Sequence, residues 1–299
     1  MAFDLDKALT GISGILVTPY DEAGDIAPAK LQPIIDRALE AGVHIPVVNG
    51  NTGEFYALTT DEACTMAAEV CRMVDGRAPV LAGVGRGIRD ACRLAKASAD
   101  AGASALMIHQ PPDPFVSPRG TVDYVRAVHE ASGGLPIMLY LRNDAIGTQK
   151  IKALCDLPGV KGVKWATPNP LKLADAIAAC DPSIVWVGGL AEVWAPPLYA
   201  VGARGFTSGL INVWPERSVA IHKALDAGDY AAANRLIAEM KSFEDIRAEE
   251  LNGTNVTGVK AALIATGTDC GGTRPPSAWP LTDTQQATLK TFLTAVGLV

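Results

Sequence analysis

Apolar and polar residues follow two alternating patterns along most of the chain. Short apolar runs rich in Val, Ile and Leu are separated by longer segments in which apolar residues recur every three or four positions. The short runs predict buried strands, and the longer segments predict amphipathic helices. We predict eight strands, at residues 12–17, 44–48, 79–84, 104–109, 136–140, 160–164, 184–187 and 205–207. Eight strands that each lead into a helix predict an α/β protein with a closed (β/α)8 barrel, a TIM barrel.

An open, doubly wound sheet is the alternative architecture for this alternation. Such sheets often carry a Gly-x-Gly-x-x-Gly turn after the first strand, with an acidic residue about 20 positions further on. Residues 83–87, Gly-Val-Gly-Arg-Gly, come closest, but they lack both the spacing and the acidic partner. The closed barrel is therefore the better interpretation.

The pattern changes after the eighth predicted strand, where helical periodicity continues without further strands. We predict helices at residues 215–227, 230–250, 256–266 and 282–296. The first of these completes the barrel, and the others form a C-terminal helical extension. The predicted organisation is thus a barrel that carries the active site over residues 1–227, with an extension over residues 228–299 packed against it.

Composition narrows the classes of partner. The 299-residue chain is 48% apolar with a net charge of −6, and no basic stripe suits a nucleic acid. Apolar runs end well before the roughly 18 residues that a membrane helix needs, and Asp4 and Asp6 replace the positive start of a signal peptide. The six cysteines form no Cys-x-x-Cys pair. We expect a soluble cytoplasmic protein with reduced thiols, no metal site, no membrane partner and no nucleic-acid partner.

Lys164 is the first candidate for chemistry, because it ends an apolar strand at residues 160–164. In a barrel of this type, functional residues gather at the carboxyl ends of the strands. A lysine in apolar surroundings either pairs with a carboxylate or loses its proton, and the free amine can then attack a carbonyl. Lys161 lies on the opposite face of the same strand, so we interpret it as solvated or paired.

Three other strand ends carry candidate residues. After the second strand, Gly50 and Gly53 enclose Asn51 and Thr52, which predicts a tight turn whose amides suit a carboxylate or a phosphate; a plain βα turn is the alternative. The fifth strand ends on Tyr140, a proton carrier or a core residue. The eighth runs into Ser208, a substrate ligand or an ordinary loop hydroxyl.

These residues together predict a Schiff-base site. The turn holds the carboxylate of a 2-oxo acid, Lys164 attacks the neighbouring ketone, and the phenol of Tyr140 moves protons. Glu54 is interpreted as a helix cap, since a carboxylate near a helix start satisfies free amides. His109, at the end of the fourth strand, either faces the pocket or has a core or loop role, and we interpret it as a core or loop residue.

The motif at residues 50–54 (Gly-Asn-Thr-Gly-Glu), Tyr140 and residues 162–164 (Gly-Val-Lys) resemble the dihydrodipicolinate synthase / N-acetylneuraminate lyase family of class I Schiff-base lyases. The resemblance covers nearly the whole chain, from residue 14 to residue 276. It implies a (β/α)8 barrel with a C-terminal helical extension, a homotetramer or homodimer, a 2-oxo acid substrate, and no metal or dissociable cofactor. By this match Lys164 forms the imine, Tyr140 is the proton shuttle, and Asn51 and Thr52 bind the carboxylate.

Departures from the family pattern narrow the expected activity. The resemblance to dihydrodipicolinate synthases would require an Arg five residues after the tyrosine, where this chain has Ala145. It would also require a second tyrosine, lent by a neighbouring subunit, in the segment after the fourth strand. Residues 110–115 read Gln-Pro-Pro-Asp-Pro-Phe and contain no tyrosine. We therefore do not expect dihydrodipicolinate synthase activity.

The segment from Tyr140 is more similar to the 5-dehydro-4-deoxyglucarate dehydratase branch, which has an Arg two residues after the tyrosine, here Arg142. Residues 52–55, 111–112, 207–208 and 274–276 fit the same branch. Residues 165–166, Trp-Ala, depart from its usual Asp-Gly. The resemblance implies a decarboxylating dehydratase of a 2-oxo-3-deoxy sugar acid. Arg142 would then bind a second carboxylate, and Ser208 or Thr52 would contact the departing hydroxyl.

Other interpretations stay open. One imine also serves an aldolase that releases pyruvate, and a dihydrodipicolinate synthase-like enzyme is a related alternative. A barrel that binds a sugar acid without turnover is a third. Arg142 has its own alternative, as a surface or interface ion pair.

Overall fold

The computed structural model describes residues 3–113 and 115–299. Across these residues eight parallel strands pair in sequence order, and the first pairs with the last to close a barrel. The strands are Ile12–Ile15 (β1), Ile45–Val48 (β2), Leu81–Val84 (β3), Ala105–His109 (β4), Ile137–Leu141 (β5), Val160–Trp165 (β6), Val185–Gly188 (β7) and Gly205–Ser208 (β8). The predicted TIM barrel is confirmed.

Helices separate the strands and cover the outside of the barrel. The covering helices are α2 (Gln32–Ala41), α3 (Thr60–Val74), α4 (Ile88–Asp100), α5 (Pro118–Ala131), α6 (Thr148–Cys155), α7 (Pro170–Ala179), α8 (Ala195–Ala200) and α9 (Pro215–Asp226), and a short helix, α1 (Leu5–Leu9), precedes β1. Local sequence sets several of their ends: Thr59 and Glu62 form a capping box at the start of α3, and Gly42 closes α2 in the left-handed conformation.

Side chains alternate between the inside of the barrel and the layer of helices around it. In β4, Ala105 and Met107 belong to the cluster inside the barrel, whereas Leu106 and Ile108 pack against the helices. The same parity directs His109, the last residue of β4, inward. Side chains on the inner face at the strand ends therefore converge on one mouth.

Helix α1 closes the other end of the barrel, a feature that the sequence patterns did not predict. Leu9 packs with the residues inside the barrel, and its carbonyl lies close to Gly205 at the start of β8. A five-residue helix is too short to show a recognisable periodicity. The described barrel is thus filled at the amino ends of its strands, and its chemistry is confined to the carboxyl ends.

The C-terminal helices follow the barrel as predicted. They are α10 (Tyr230–Asn252), α11 (Asn255–Ala265) and α12 (Asp283–Ala295), each beginning and ending within two residues of the predicted bounds. Helix α10 packs along α9, and α11 and α12 pack against α10. The division of the chain at residues 227 and 228 stays a prediction.

Two features of the described residues bear on the expectations from composition. Within residues 3–113 and 115–299, no helix has the length and apolar character that a membrane crossing requires. The same residues contain no group of three or more His, Cys, Asp or Glu side chains arranged to hold a metal ion. All six cysteines are free thiols, with Cys155, Cys180 and Cys270 buried.

Candidate active site

Three inward-facing side chains lie side by side at the carboxyl end of the barrel. The register of β4, β5 and β6 pairs His109 with Tyr140 and Tyr140 with Lys164. Met107 and Met138 lie one inward position below them, which seals the site from the barrel interior. The fold therefore brings together the lysine and the tyrosine that the sequence singled out, and adds a histidine.

Lys164 is almost fully buried, with 3% of its surface exposed. Its Nζ lies 3.9 Å from the centroid of the Tyr140 ring, and none of the described carboxylates is within ion-pair distance of it. Burial lowers the pKa of Lys164 to about 7, and the positive charge of Arg142 contributes in the same direction. A substantial fraction of this amine is thus uncharged near neutral pH, whereas Lys161 is exposed, as predicted.

Tyr140 has a hydroxyl held at the barrel mouth. Asn51 Nδ2 donates a hydrogen bond of 2.8 Å to this hydroxyl. Burial raises the pKa of Tyr140 to about 12, although nearby Arg142 opposes the shift. The phenol is therefore protonated in the resting protein, and the hydroxyl donates to none of the described residues.

The turn after β2 forms as predicted, with two unused amides. The N–H of Gly53 bonds to the carbonyl of Gly50 at 3.0 Å, and a Cβ on Gly53 would come within 2.9 Å of the Leu16 carbonyl. The described residues supply no hydrogen-bond acceptor for the backbone N–H groups of Asn51 and Thr52. These two donors, beside the Tyr140 hydroxyl, suit a carboxylate.

Arg142 lies in the loop that follows β5, with an exposed side chain. Gln110 positions this loop, because its Oε1 accepts hydrogen bonds from the backbone N–H of Arg142 at 2.8 Å and of Asn143 at 3.0 Å. All three residues line a cavity of about 540 Å³, together with Asp113 and Thr121. In the described part of the chain no carboxylate forms an ion pair with Arg142, so its charge is available to a ligand in the cavity.

The structure does not bring Ser208 to this site. Phe206, two residues earlier in β8, packs in the layer between sheet and helices, so the parity of the strand turns Ser208 to the same side. The Ser208 hydroxyl lies 3.0 Å from the hydroxyl of Ser218 in α9 and accepts a bond from the N–H of Ile211. We therefore correct the assignment of Ser208 as a substrate ligand. Thr207 holds the inner position.

Glu54 also has a role other than the predicted helix cap. Its Oε1 forms a fully buried ion pair with Lys260 Nζ of α11 at 2.6 Å. Its Oε2 accepts a hydrogen bond of 2.8 Å from the backbone N–H of Arg274. The carboxylate therefore joins the turn after β2 to the C-terminal extension. Because both of its oxygens are engaged there, we do not assign it a role in proton transfer.

Two further residues lie at the mouth: Tyr56, which the sequence analysis did not single out, and His109, which it interpreted as a core or loop residue rather than one that faces the pocket. His109 Nε2 lies 2.9 Å from the carbonyl of Asn49, so Nε2 carries the hydrogen and Nδ1 is left as an acceptor. Burial and the charge of Lys164 lower the pKa of His109 to about 3, so the ring is neutral. Phe55 stacks on it, and Tyr56 Oη lies 3.5 Å from Nδ1. The inward parity of β4 was the signal available for His109.

The fold and the site define a class of enzyme. A closed (β/α)8 barrel with a buried, partly uncharged lysine beside a phenol and a carboxylate-sized turn has the features of a class I lyase, which forms an imine with its substrate. The sequence model of the Dihydrodipicolinate synthetase family matches residues 8–296, and the chain belongs to this family. Lyases of this family act on 2-oxo acids through a lysine Schiff base, without an external cofactor.

Relatives from this family carry two different activities. The chain is 29% identical over 288 residues to 4-hydroxy-tetrahydrodipicolinate synthase of Bacillus subtilis, covering 94% of this chain and 97% of the relative. It is 30% identical over 275 residues to a probable 5-dehydro-4-deoxyglucarate dehydratase 1 of Streptomyces avermitilis, covering 89% and 87%. The crystal structure of dihydrodipicolinate synthase from Oceanobacillus iheyensis is 35% identical and superimposes with a TM-score of 0.94 over 99% of both chains.

These comparisons confirm the family, the fold and the lysine-imine class of lyase. They include both synthases and dehydratases at similar identity. The choice between the two reactions therefore depends on the residues of this chain.

Proposed function

We propose that this protein is a decarboxylating dehydratase of a 2-oxo-3-deoxy sugar acid with a carboxylate at each end, similar to 5-dehydro-4-deoxyglucarate. The observation that supports this proposal best is the position of Arg142. This guanidinium lies two residues after Tyr140 and lines a cavity formed by the segments that follow β4 and β5. It is close enough to the imine site for its charge to help lower the pKa of Lys164 and to oppose the rise in the pKa of Tyr140. A substrate held at one end by the turn after β2 would reach this cation with its distal carboxylate.

In the proposed mechanism, Lys164 and Tyr140 carry out the first steps, which form the imine. The uncharged amine of Lys164 adds to the 2-oxo carbon while the N–H groups of Asn51 and Thr52 hold the adjacent carboxylate. Tyr140 donates its proton to the hydroxyl that leaves the adduct as water, which yields a protonated imine and a phenolate. The positive imine beside the ring, at the place where Lys164 Nζ now lies, stabilises that phenolate.

The imine on Lys164 and the phenolate of Tyr140 also carry out the elimination. The imine acidifies the neighbouring methylene, whose proton passes to the Tyr140 phenolate and leaves an enamine. The enamine expels the β-hydroxyl, which takes up a proton and leaves as a second water. The conjugated iminium then accepts the electron pair released when the distal carboxylate leaves as carbon dioxide. Arg142 holds that carboxylate in place until the bond breaks.

Two positions argue against the synthase reaction of the other relatives. Ala145 stands where the resemblance to dihydrodipicolinate synthases requires an Arg, and its side chain has no charge for a second carboxylate. The segment after β4 offers Pro111 and Pro112 where a tyrosine would be needed, so the two-tyrosine relay of the synthases is broken. Arg142 supplies a cation at a different place along the loop.

Product analysis with 5-dehydro-4-deoxyglucarate tests the proposal. We expect release of carbon dioxide and formation of a 2-oxo acid aldehyde without pyruvate. Arg142→Ala should lower kcat/KM for this dicarboxylate roughly 10- to 100-fold, as expected for one or two charge-assisted hydrogen bonds, and should slow imine formation with pyruvate much less. Arg126→Ala, which removes an exposed guanidinium from α5, is the matched control.

Three results would contradict the proposal. Release of pyruvate without carbon dioxide would identify an aldolase instead. Equal losses for the dicarboxylate and for pyruvate in Arg142→Ala would remove Arg142 from the binding site. Binding of the acid without an imine or any turnover would indicate a non-catalytic barrel.

A further inference from the structure

The proposed elimination needs a proton donor for the departing β-hydroxyl, and the residues assigned so far do not provide one. Ser208 lies on the helix side of β8, Tyr140 is occupied with the methylene proton, and Thr52 belongs to the turn that holds the carboxylate beside the 2-oxo carbon. Resting on the proposed function, we infer that Tyr56 is the catalytic acid that protonates the departing hydroxyl, and that His109 is a positioning residue that orients the Tyr56 phenol.

Tyr56 lies at the mouth, next to the residues of the imine site. Its ring packs perpendicular to His109, with centroids 5.6 Å apart, and the His109 ring lies 5.2 Å from the Tyr140 ring. With 42% of its surface exposed, Tyr56 contacts His109 on one side and is open to solvent on the other. A substrate in the mouth can therefore reach the phenol without displacing a protein group.

The backbone that carries Tyr56 is held firmly although the side chain is exposed. Arg86 Nη2 donates a hydrogen bond of 2.6 Å to the carbonyl of Phe55, and Nη1 donates to Thr60 at 2.9 Å. The same guanidinium lies 4.7 Å from the centroid of the Phe55 ring, which in turn stacks on His109 at 4.4 Å. Tyr56 is thus placed by a packed cluster, as a residue in a reaction must be.

The tautomer of His109 suits an orienting role. Because Nε2–H donates to the Asn49 carbonyl, Nδ1 presents a lone pair to the Tyr56 hydroxyl. That lone pair disfavours a phenolate, so Tyr56 keeps its proton in the resting site; burial, which raises the Tyr56 pKa, acts in the same direction. At 3.5 Å the hydrogen bond to Nδ1 is long, so the hydroxyl exchanges it for a substrate oxygen at little cost.

The elimination step leaves the total number of protons on the two phenols unchanged. The methylene proton ends on Tyr140, and the Tyr56 proton leaves with the β-hydroxyl as water. Tyr140 then holds the proton that Tyr56 lacks, and transfer between them through water restores Tyr56 and leaves Tyr140 as the phenolate produced by imine formation. Loss of carbon dioxide leaves a dienamine that takes up one proton from solvent, and hydrolysis of the resulting iminium releases the proton that restores Tyr140. Arg142 and Arg86, whose charges oppose the rise in the Tyr56 pKa, stabilise the transient phenolate. No oxidant, metal or cofactor is required.

The test measures carbon dioxide release from 5-dehydro-4-deoxyglucarate and, separately, borohydride trapping of the pyruvate imine. Tyr56→Phe should lower kcat for carbon dioxide release about 10²- to 10³-fold, the usual contribution of a general acid, while leaving the pyruvate trapping rate unchanged. His109→Leu should lower kcat about 10-fold, and adding it to Tyr56→Phe should cause no further loss, since the two act as a unit. His109→Asn, which restores an acceptor, should recover part of the rate.

The chain offers a matched control. Tyr199 bonds His222 Nδ1 at 3.1 Å and the Arg204 carbonyl at 3.0 Å, beside His44 at the opposite end of the barrel. Tyr199→Phe removes an equivalent phenol and should leave kcat and trapping unchanged. Thermal unfolding of each variant shows whether it is folded.

The outcomes separate the two proposals. Tyr56→Phe with a kcat within about three-fold of the wild type overturns the role of Tyr56 and leaves the dehydratase standing. Loss of pyruvate trapping in folded Tyr56→Phe would place the defect before elimination, and this result also overturns the role of Tyr56 as the acid. A wild-type protein that traps pyruvate but releases no carbon dioxide overturns the dehydratase itself, and this inference with it.

Discussion

At the scale of single residues, the chemistry depends on the surroundings of one amine. Lys164 lies among apolar inner residues, against the face of an aromatic ring and within the field of Arg142. Desolvation penalises the ammonium form more than the ring can compensate, so the pKa falls to about 7. The barrel therefore produces a nucleophile at neutral pH from a residue that is normally charged.

The pH dependence of imine formation follows from this shift. Since only the uncharged amine attacks, the rate of borohydride trapping with pyruvate should rise with pH through a midpoint near 7 and level off roughly one pH unit higher. Arg142→Ala removes a positive charge that lowers the pKa, so the midpoint should move to higher pH. The movement should be less than about one pH unit, because the guanidinium is exposed and screened.

Lys161→Ala is the control for this profile, since Lys161 is exposed on the same strand. Its midpoint should match that of the wild type. A wild-type midpoint near 10, the value of a solvated lysine, would show that Lys164 is not desolvated in solution.

Parity along the strands explains which site residues the sequence could reveal. Lys164 and Tyr140 were predicted because each ends an apolar strand, and the structure places both on the inner face. Ser208 also ends a strand, but alternation from Phe206 turns it outward. His109 faces inward for the same reason that Met107 does. The position of a residue at the end of a strand does not by itself show whether its side chain points inward, as in His109, or outward, as in Ser208. Tyr56 lies on a loop, where no periodicity indicates its direction.

At the scale of elements, the turn after β2 is tied to the C-terminal extension through a buried ion pair. Lys260 of α11 is fully buried, binds Glu54, and donates 2.6 Å to the Gly272 carbonyl. Its Nζ also lies 4.1 Å from the Tyr20 ring centroid. The extension thus fixes the position of the carboxylate-binding turn.

Removing one partner of this ion pair should lower the stability of the folded protein. Lys260→Met leaves the Glu54 carboxylate buried without its partner, so we expect the free energy of unfolding to fall by about 3–5 kcal/mol in denaturant titrations. The double variant with Glu54→Gln should lose less than the single variant. Lys241→Met, which breaks an exposed pair with Asp245, should cost under about 0.5 kcal/mol. Equal losses at the two sites would contradict the role of the buried pair.

A second buried carboxyl connects the loop after β7 to α9. Glu192 is 0% exposed and accepts a hydrogen bond of 2.6 Å from Ser218 Oγ. Burial raises the pKa of Glu192 to about 7, and the neighbouring Glu244 adds to the shift. The folded state therefore retains a proton over a range of pH in which the unfolded chain has lost it.

The stability of the protein should reflect this proton. The contribution of Glu192 is complete below the ordinary glutamate pKa near 4.5 and is lost as the pH rises towards about 7. Glu192→Gln keeps an uncharged side chain at every pH, so its Tm should exceed that of the wild type at pH 8 and approach it at pH 5. A difference in Tm that does not change with pH would contradict the assignment.

The sequence predicted the elements well wherever their patterns were long. Helix α10 begins at the predicted Tyr230, and the strands begin within two residues of the predicted starts. The alternation could not show that α1 fills the barrel, because five residues carry no period. Nor could it show the irregularity in register beside Lys161, where β6 has one residue more than β5 between Val160 and Gly162.

At the scale of the whole molecule, the barrel has one functional mouth, and its rim carries an exposed aromatic side chain. Phe115 is 92% exposed in the loop before α5, close to Val116, which lines the cavity. Single exposed apolar side chains are common on protein surfaces, and the expectation of a partner therefore comes from the family resemblance. We propose that a second copy of the chain covers it, in the homodimer or homotetramer that the family resemblance implies.

Sedimentation velocity tests this proposal. The wild type should have at least twice the mass of the 31.2 kDa chain at micromolar concentration, and Phe115→Asp should shift it towards the monomer because the charge would be buried. Dilution of the wild type provides the control for weak association. A wild-type mass of 31.2 kDa at every concentration would contradict the proposal.

The central claim is that the Lys164 amine forms a covalent imine with a 2-oxo acid. Incubation with pyruvate and borohydride, followed by peptide mass spectrometry, tests it most directly. We predict a reduced pyruvyl adduct on Lys164, in the wild type and in Lys161→Ala, and none in Lys164→Ala, which should remain folded. An unmodified Lys164, or an adduct that persists in Lys164→Ala, would contradict the account.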